Sequence, residues 1–293
     1  MSQIENHKSM RTITLEEHYA TEAFMEGPGR RIKDQAHAAH AHPEVAAGLA
    51  SLIDQLCDLD DRRIGAMDAG GIDMQVLSLT SPGVDQLDAT EAVTLAREAN
   101  DHLGEAVLRH PSRFAGFAAL PTAAPDTAAD ELERTVREHG FKGGLINGHI
   151  QGRYLDNEFF WPILERAEEL KVPLYLHPTP PPQAVIVASY AGNFAPGVTA
   201  ALSSAAWGWH IETAIHVLRL ILGGTFDRYP SLQLIIGHLG ETLPFMLPRL
   251  DRGLPPQMTK LNRSIGAYLR ENVHYTFSGF NYTAPFLDLL LEV

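Results

Sequence analysis

A single cysteine, Cys57, stands in the 293 residues, so no disulfide can form within the chain. Long apolar runs are missing too: the longest stretches, such as 174–176 and 234–236, fall far short of the ~20 residues that cross a bilayer. Basic residues are scarce, 23 against 36 acidic ones, for a net charge of −13. Neutralising a phosphate backbone needs clustered Lys and Arg, so this balance excludes a nucleic-acid surface and makes a small molecule the default partner. Residues 1–10 are polar and lack the apolar core of a secretion signal, which points to the cytoplasm. No Ser/Gly linker or charge block divides the chain, and 45% hydrophobic residues can bury a sizeable core. A single domain over 1–293 is expected, since α/β barrels of ~250 residues are the standing exception to shorter domain lengths.

Short apolar runs alternate with longer stretches of helical period, the mark of repeated βα units on a parallel sheet. Strands are expected at 12–15, 74–80, 114–120, 144–147, 173–177, 233–237 and 273–277, and helices at 60–69, 89–110, 126–139, 157–170, 210–226 and 243–271. A further helix begins near Pro285. Asp60 and Asp61 suit the positive end of a helix dipole, and Gly70-Gly71 can end that helix in the left-handed region. Two segments, 20–56 and 179–206, break the alternation and are expected to be long loops, as lids and binding loops are. The fold class is therefore α/β, a TIM-type (β/α)8 barrel, with no eighth strand run before Val293.

Barrel active sites form where strands end, so polar residues at the ends of apolar runs are the ones to inspect. The first run ends in Glu16-Glu17-His18, the fourth at Asn147 and His149, the fifth at His177, the sixth at His238 and the seventh at Ser278. Carboxylate and imidazole converging on one mouth suit a divalent ion of intermediate hardness, Zn²⁺ or Mn²⁺. Glu16 and His18 project to one side of their strand and form a potential ligand pair, while Glu17 projects to the other, as a salt-bridge partner would.

In order along the chain stand Leu15-Glu16-Glu17-His18, Arg62-Arg63-Ile64, Met67-Asp68, Gly71-Ile72-Asp73, Asn147-Gly148, Leu176-His177-Pro178, Trp207-Gly208-Trp209, Glu212-Thr213, Asp227-Arg228 and Gly237-His238-Leu239-Gly240-Glu241. Each is weak alone, but the ordered set resembles the decarboxylase branch of the amidohydrolase superfamily, with gamma-resorcylate and 2,3-dihydroxybenzoate decarboxylases nearest in pattern. The resemblance implies that Glu16, His18 and His177 ligate one divalent metal ion, that His238 supported by Glu241 contacts the substrate, and that Asn147 lines the pocket. It implies a metal-dependent, non-oxidative decarboxylase of a hydroxybenzoate-like aromatic acid, assembled as a dimer or tetramer. In the family a further Asp after the eighth strand completes the metal site and is the usual proton donor to carbon. The chain ends before that position, and Asp288 lies in the preceding helix pattern. The expectation is that the 293 residues are a fragment, or that a partner completes the barrel.

Plainer readings stand beside these. Polar residues at strand ends also cap helices and satisfy buried backbone. His177 is favoured as a ligand because His-Pro at a strand end sets ring direction and chain exit, and His238 because Gly240 lets backbone approach a ligand. His37, His40 and His42 look like an exposed loop or short helix rather than a metal tract. His210 and His216, six apart, do not share a helix face, whereas Glu212 and His216 do, as neighbours of the site or as an ordinary surface contact. Two other activities remain open from the residues alone: hydrolysis of a lactone or amide by metal-activated water, and ligand binding by a relative that has lost turnover.

Overall fold

A computed structural model describes residues 11–30, 32, 34, 43–277 and 288–289. Its strands are β1 (Ile13–Tyr19), β2 (Met74–Leu79), β3 (Phe114–Gly116), β4 (Ala118–Ala119), β5 (Gly144–Asn147), β6 (Leu174–His177), β7 (Leu234–Ile236) and β8 (Val273–Tyr275). All pair in parallel, in the orders β1-β2-β3 and β4-β5-β6-β7-β8. All the expected strand runs are present. The run 114–120 is divided because its first half pairs with β2 and its second with β5. At the handover the Asn100 amide donates to the Ala119 carbonyl at 2.9 Å and accepts from its N–H at 2.8 Å, so both backbone groups of that buried residue are satisfied.

This is the wall of a TIM-type (β/α)8 barrel, with two cores. Val76, Ala115, Phe117, Leu145, Tyr175 and Ile235 fill the interior, with Leu15 and Met74 packed against them. A larger core lies between the strands and the surrounding helices. The helix Ala89–Arg109 shows why those helices dock. Asp88 caps its first turn by accepting from the N–H groups of Thr90 and Glu91, and Ala92, Leu95, Ala96, Ala99, Leu103 and Ala106 recur at helical spacing on its buried face.

Four expected boundaries need correction. The segment 20–56, expected as a loop, holds helices Glu22–Glu26 and Pro43–Cys57; Thr21 caps the first by accepting from Phe24 N–H at 3.1 Å. The expected loop 179–206 contains helical turns, among them Pro196–Leu202. The single helix expected over 243–271 is Leu243–Gly253, Pro256–Thr259 and Ile265–Asn272, because Pro255-Pro256 cannot continue the first. The helix expected over 210–226 spans Gly208–Leu222 and Thr225–Arg228, parted by Gly223 and by Gly224 at φ +75°. His37, His40, His42, Ser278 and the helix expected near Pro285 lie outside the described residues. Among the described residues no helix is long and apolar enough to cross a membrane.

Candidate metal centre and its histidine pair

The first strand carries the device that aims the site. Thr14 pairs with Gln75 but Glu17 with Leu77, so β1 holds one extra residue at Leu15-Glu16. A bulge of this kind re-aims side chains. Here Leu15 packs inside the barrel, while its neighbour Glu16 also turns inward and accepts from the Tyr175 hydroxyl at 2.8 Å.

Glu16, His18 and His177 offer one donor atom each, all within 4.8 Å of one another, so the structure brings the three expected residues together. Their hydrogen bonds define the tautomers. The Ser78 hydroxyl has one proton and sits 3.3 Å from the Glu17 carbonyl, to which it donates, so at 3.1 Å it accepts from His18 Nδ1–H. His177 Nδ1 donates to the Pro178 carbonyl at 2.9 Å. Each ring therefore keeps its Nε2 lone pair free, and His177 Nε2 lies 3.7 Å from Glu16 Oε1. Burial lowers the pKa of His18, and burial with the charge of His18 pushes His177 down to about 3, so both rings are neutral near pH 7. Burial opposes the charge on Glu16, but the hydrogen bond and charge of His238, the charge of His177 and the Tyr175 hydroxyl outweigh it and hold the carboxyl at about 2. Glu17 turns away as expected and accepts from Gln75 Nε2 at 3.0 Å.

A side chain at Gly237 would crowd the Glu16 carboxylate: a Cβ there would fall 2.7 Å from Glu16 Oε2 and 3.1 Å from the Tyr175 hydroxyl. Beyond it the chain makes a left-handed turn, with φ of +50° at His238, +61° at Leu239, +79° at Gly240, +53° at Glu241 and +68° at Thr242. Four of these are not glycine, and each such residue costs on the order of 1 kcal/mol. Leu239 N–H donates to the Thr276 carbonyl and Gly240 N–H to that of Gly237, both at 2.9 Å, which anchors the turn. Residues three apart meet in a left-handed turn as they do in a right-handed one, and His238 Nδ1 donates to Glu241 Oε1 at 2.7 Å. His238 Nε2 lies 3.2 Å from Glu16 Oε1. Burial works against the His238 cation, but its bonds to Glu16 and Glu241 raise the pKa to about 10.

Asn147 stands in register with His177 on the neighbouring strand, so the two project to the same side. Asp85 Oδ2 accepts from both the backbone N–H and Nδ2 of Asn147 at 3.1 Å, and Asn147 Oδ1 is buried without a partner. Burial raises the Asp85 pKa to about 6 against the hydrogen bonds of Asn147 and Thr122.

Several placements differ from the sequence reading. His149 accepts from Gly152 N–H at 3.1 Å and contacts the Pro180 carbonyl at 3.2 Å, so it ties two loops together. Glu212 accepts from the Tyr154 hydroxyl at 2.6 Å and His216 Nε2 from Leu155 N–H at 2.9 Å; this pair fastens residues 154–155 to the helix. Sequence reasoning missed Asp85, Tyr175 and His210. His210 Nδ1 lies 2.6 Å from Glu241 Oε2, and no spacing along the chain signals that contact. Glu16, His18, Trp209, His210, His238 and Thr276 face a cleft of about 1040 Å³ between β1 and β8.

The family model described as Amidohydrolase matches residues 37–293. Gamma-resorcylate decarboxylase of Polaromonas sp. strain JS666 is 39% identical, over 96% of this chain and 84% of its own length. The chain belongs to the amidohydrolase family. Within it the chain sits in the decarboxylase branch, as its solved relatives show. 5-Carboxyvanillate decarboxylase of Novosphingobium aromaticivorans, solved with manganese and 3-methoxy-4-hydroxy-5-nitrobenzoic acid, superposes with TM-score 0.85 at 40% identity, over 98% of this chain and 84% of that one. Dihydroxybenzoic acid decarboxylase of Polaromonas sp. JS666, solved with manganese and 2-nitroresorcinol, gives 0.84 at 38% identity, over 97% and 83%.

Proposed function

We propose that this chain is a metal-dependent, non-oxidative decarboxylase of a hydroxylated aromatic acid. In this reading Glu16, His18 and His177 hold one divalent ion, Zn²⁺ or Mn²⁺, while His238 with Glu241 acts on the substrate and Asn147 lines its pocket. The observation that carries it is the donor set: two neutral imidazoles with free Nε2 lone pairs and one anionic carboxylate, converging at the strand ends. That set fits an ion of intermediate hardness. When bound, such an ion supplies Lewis-acid charge that holds an aromatic acid by its carboxylate and neighbouring oxygen.

The chain's own residues supply the rest. Losing CO₂ from a ring requires a proton on the carbon that bears the carboxylate; the electron pair of the breaking C–C bond then restores the aromatic ring. The two ring nitrogens of His238 face the carboxylates of Glu16 and Glu241, so each is placed to carry a proton, and Glu241 fixes the direction of that ring. Its place at the cleft suits it to bind an oxygen of the acid or to move a proton beside it. Asn147 offers its unpartnered Oδ1 as an acceptor on the His177 side.

The names of the matched relatives favour decarboxylation over hydrolysis of a lactone or amide. The test is a screen of hydroxybenzoates for CO₂ release by metal-analysed protein, and ring opening or amide cleavage without CO₂ would overturn the reading. A single cysteine suits the reducing cytoplasm. A dimer or tetramer is supported by the exposed Val187, Phe194, Val198 and Trp207 on one segment. Sedimentation as a monomer at micromolar concentration would refute that assembly.

A further inference from the structure

The Glu241 side chain is completely buried, and each of its oxygens meets a different imidazole: Oε1 faces His238 Nδ1 at 2.7 Å and Oε2 faces His210 Nδ1 at 2.6 Å. The two rings are 5.0 Å apart and inclined at 72°. Glu241 and His238 come from the strained turn after β7, whereas His210 comes from the helix Gly208–Leu222. Its other nitrogen, Nε2, lies 3.2 Å from the carbonyl of Ala205, in the segment that precedes this helix.

We propose that His210 is a positioning residue for the reaction, acting through Glu241 on His238. This rests on the function proposed above. A carboxylate held at one oxygen can pivot about that bond, and the ring it supports can follow. Held at both oxygens, Glu241 has one orientation, and the Nε2 edge of His238 stays aimed at the cleft. The three donor atoms converge closely enough to suggest a second cation site. The bonding pattern argues otherwise: both Nδ1 atoms face an acceptor, so they carry protons there and offer no lone pair. Through Nε2 the same ring also senses how the segment ending at Ala205 is seated.

The two nitrogens of His210 can be tested separately, since an Asn side chain places an N–H donor near Nδ1 and a Gln side chain places one near Nε2. His210→Ala and His210→Gln are expected to lower kcat by about 10–100-fold with little change in KM, the usual scale for a lost supporting contact. His210→Asn is expected to recover most of that loss. Metal content should stay at the wild-type value in all three, because His210 touches none of Glu16, His18 or His177. A readout independent of turnover is the proton NMR spectrum of the 293-residue protein, where short N–H bonds to a buried carboxylate resonate far downfield. The wild type should show two such imidazole protons, and His210→Asn should remove one and keep the other.

Wild-type turnover in His210→Ala, or rescue by Gln and not by Asn, would overturn the proposal. So would a downfield spectrum unchanged by His210→Asn. Should His210→Ala fail to fold, the Asn and Gln variants still decide. If the wild type releases no CO₂ from any acid, the proposed function fails, while the NMR comparison still tests the clamp on Glu241.

Discussion

Removing one oxygen atom from Tyr175 tests whether the barrel interior orients the proposed metal centre. Tyr175 is fully buried, and its hydroxyl lies 2.8 Å from Glu16 Oε2 and 3.1 Å from Thr276 Oγ1. Burial and the neighbouring Glu16 raise its pKa far above the ordinary tyrosine value, so it remains a donor at every working pH. Tyr175→Phe keeps the ring and its packing and deletes only the hydroxyl. A hydrogen bond to a charged group contributes about 1.5–3 kcal/mol, so the metal-free protein should melt roughly 3–10 °C lower. Glu16 would then turn more freely, and loss of such an outer contact typically weakens metal binding by about 10–100-fold. Chelator competition with Zn²⁺ or Mn²⁺, beside thermal unfolding of the metal-free protein, reads both effects. Metal affinity within twofold of wild type would refute the claim that Tyr175 orients Glu16, whatever the melting temperature does.

Further outcomes follow from neighbouring contacts. His238→Ala should keep its metal and lose turnover by a factor on the order of 10²–10⁴; loss of the metal instead would make His238 a ligand. Gly237→Ala places a methyl group 2.7 Å from Glu16 Oε2, so metal titration should show weakened binding, and undiminished affinity would mean that Glu16 can move aside freely. Asp85 has a folded-state pKa of about 6 against an ordinary 3.8, so between those values the native state binds more protons than the unfolded one. Its contribution to stability therefore falls as pH rises from about 4 to about 6, by on the order of 3 kcal/mol, and is level above that. Melting curves of wild type and Asp85→Asn should diverge across this window, and a gap independent of pH would contradict the assignment.

The parts of this site that were legible in the sequence are those set by position along a strand. Glu16, His18, His177 and His238 end apolar runs, and a parallel barrel brings such ends to one mouth. The hydrogen bonds across the barrel were not legible. Tyr175 meets Glu16 from 159 residues away, and His210 meets Glu241 across 31 residues and two separate elements. Helix boundaries failed for a local reason: the apolar period of 243–271 runs on through Pro255-Pro256, and hydrophobic spacing does not register the missing N–H. The segment 43–57 misled in the opposite sense, its company of Gly and His suggesting a loop although Val45, Leu49, Leu52 and Leu56 recur at helical spacing.

The turn from His238 to Thr242 has a consequence for anyone who sets out to make this protein sturdier. Its backbone has the hand preferred by D-amino acids, and among the natural residues glycine fits it with least cost. Leu239→Gly or Thr242→Gly would relieve local strain, and a search for heat tolerance would tend to reward such changes. The same freedom would let the turn leave its left-handed form and carry Glu241 away from its two imidazoles. On the function proposed above, robustness gained there would be taken from the alignment of His238, so an engineer should build stability into the helical shell and leave these five residues alone.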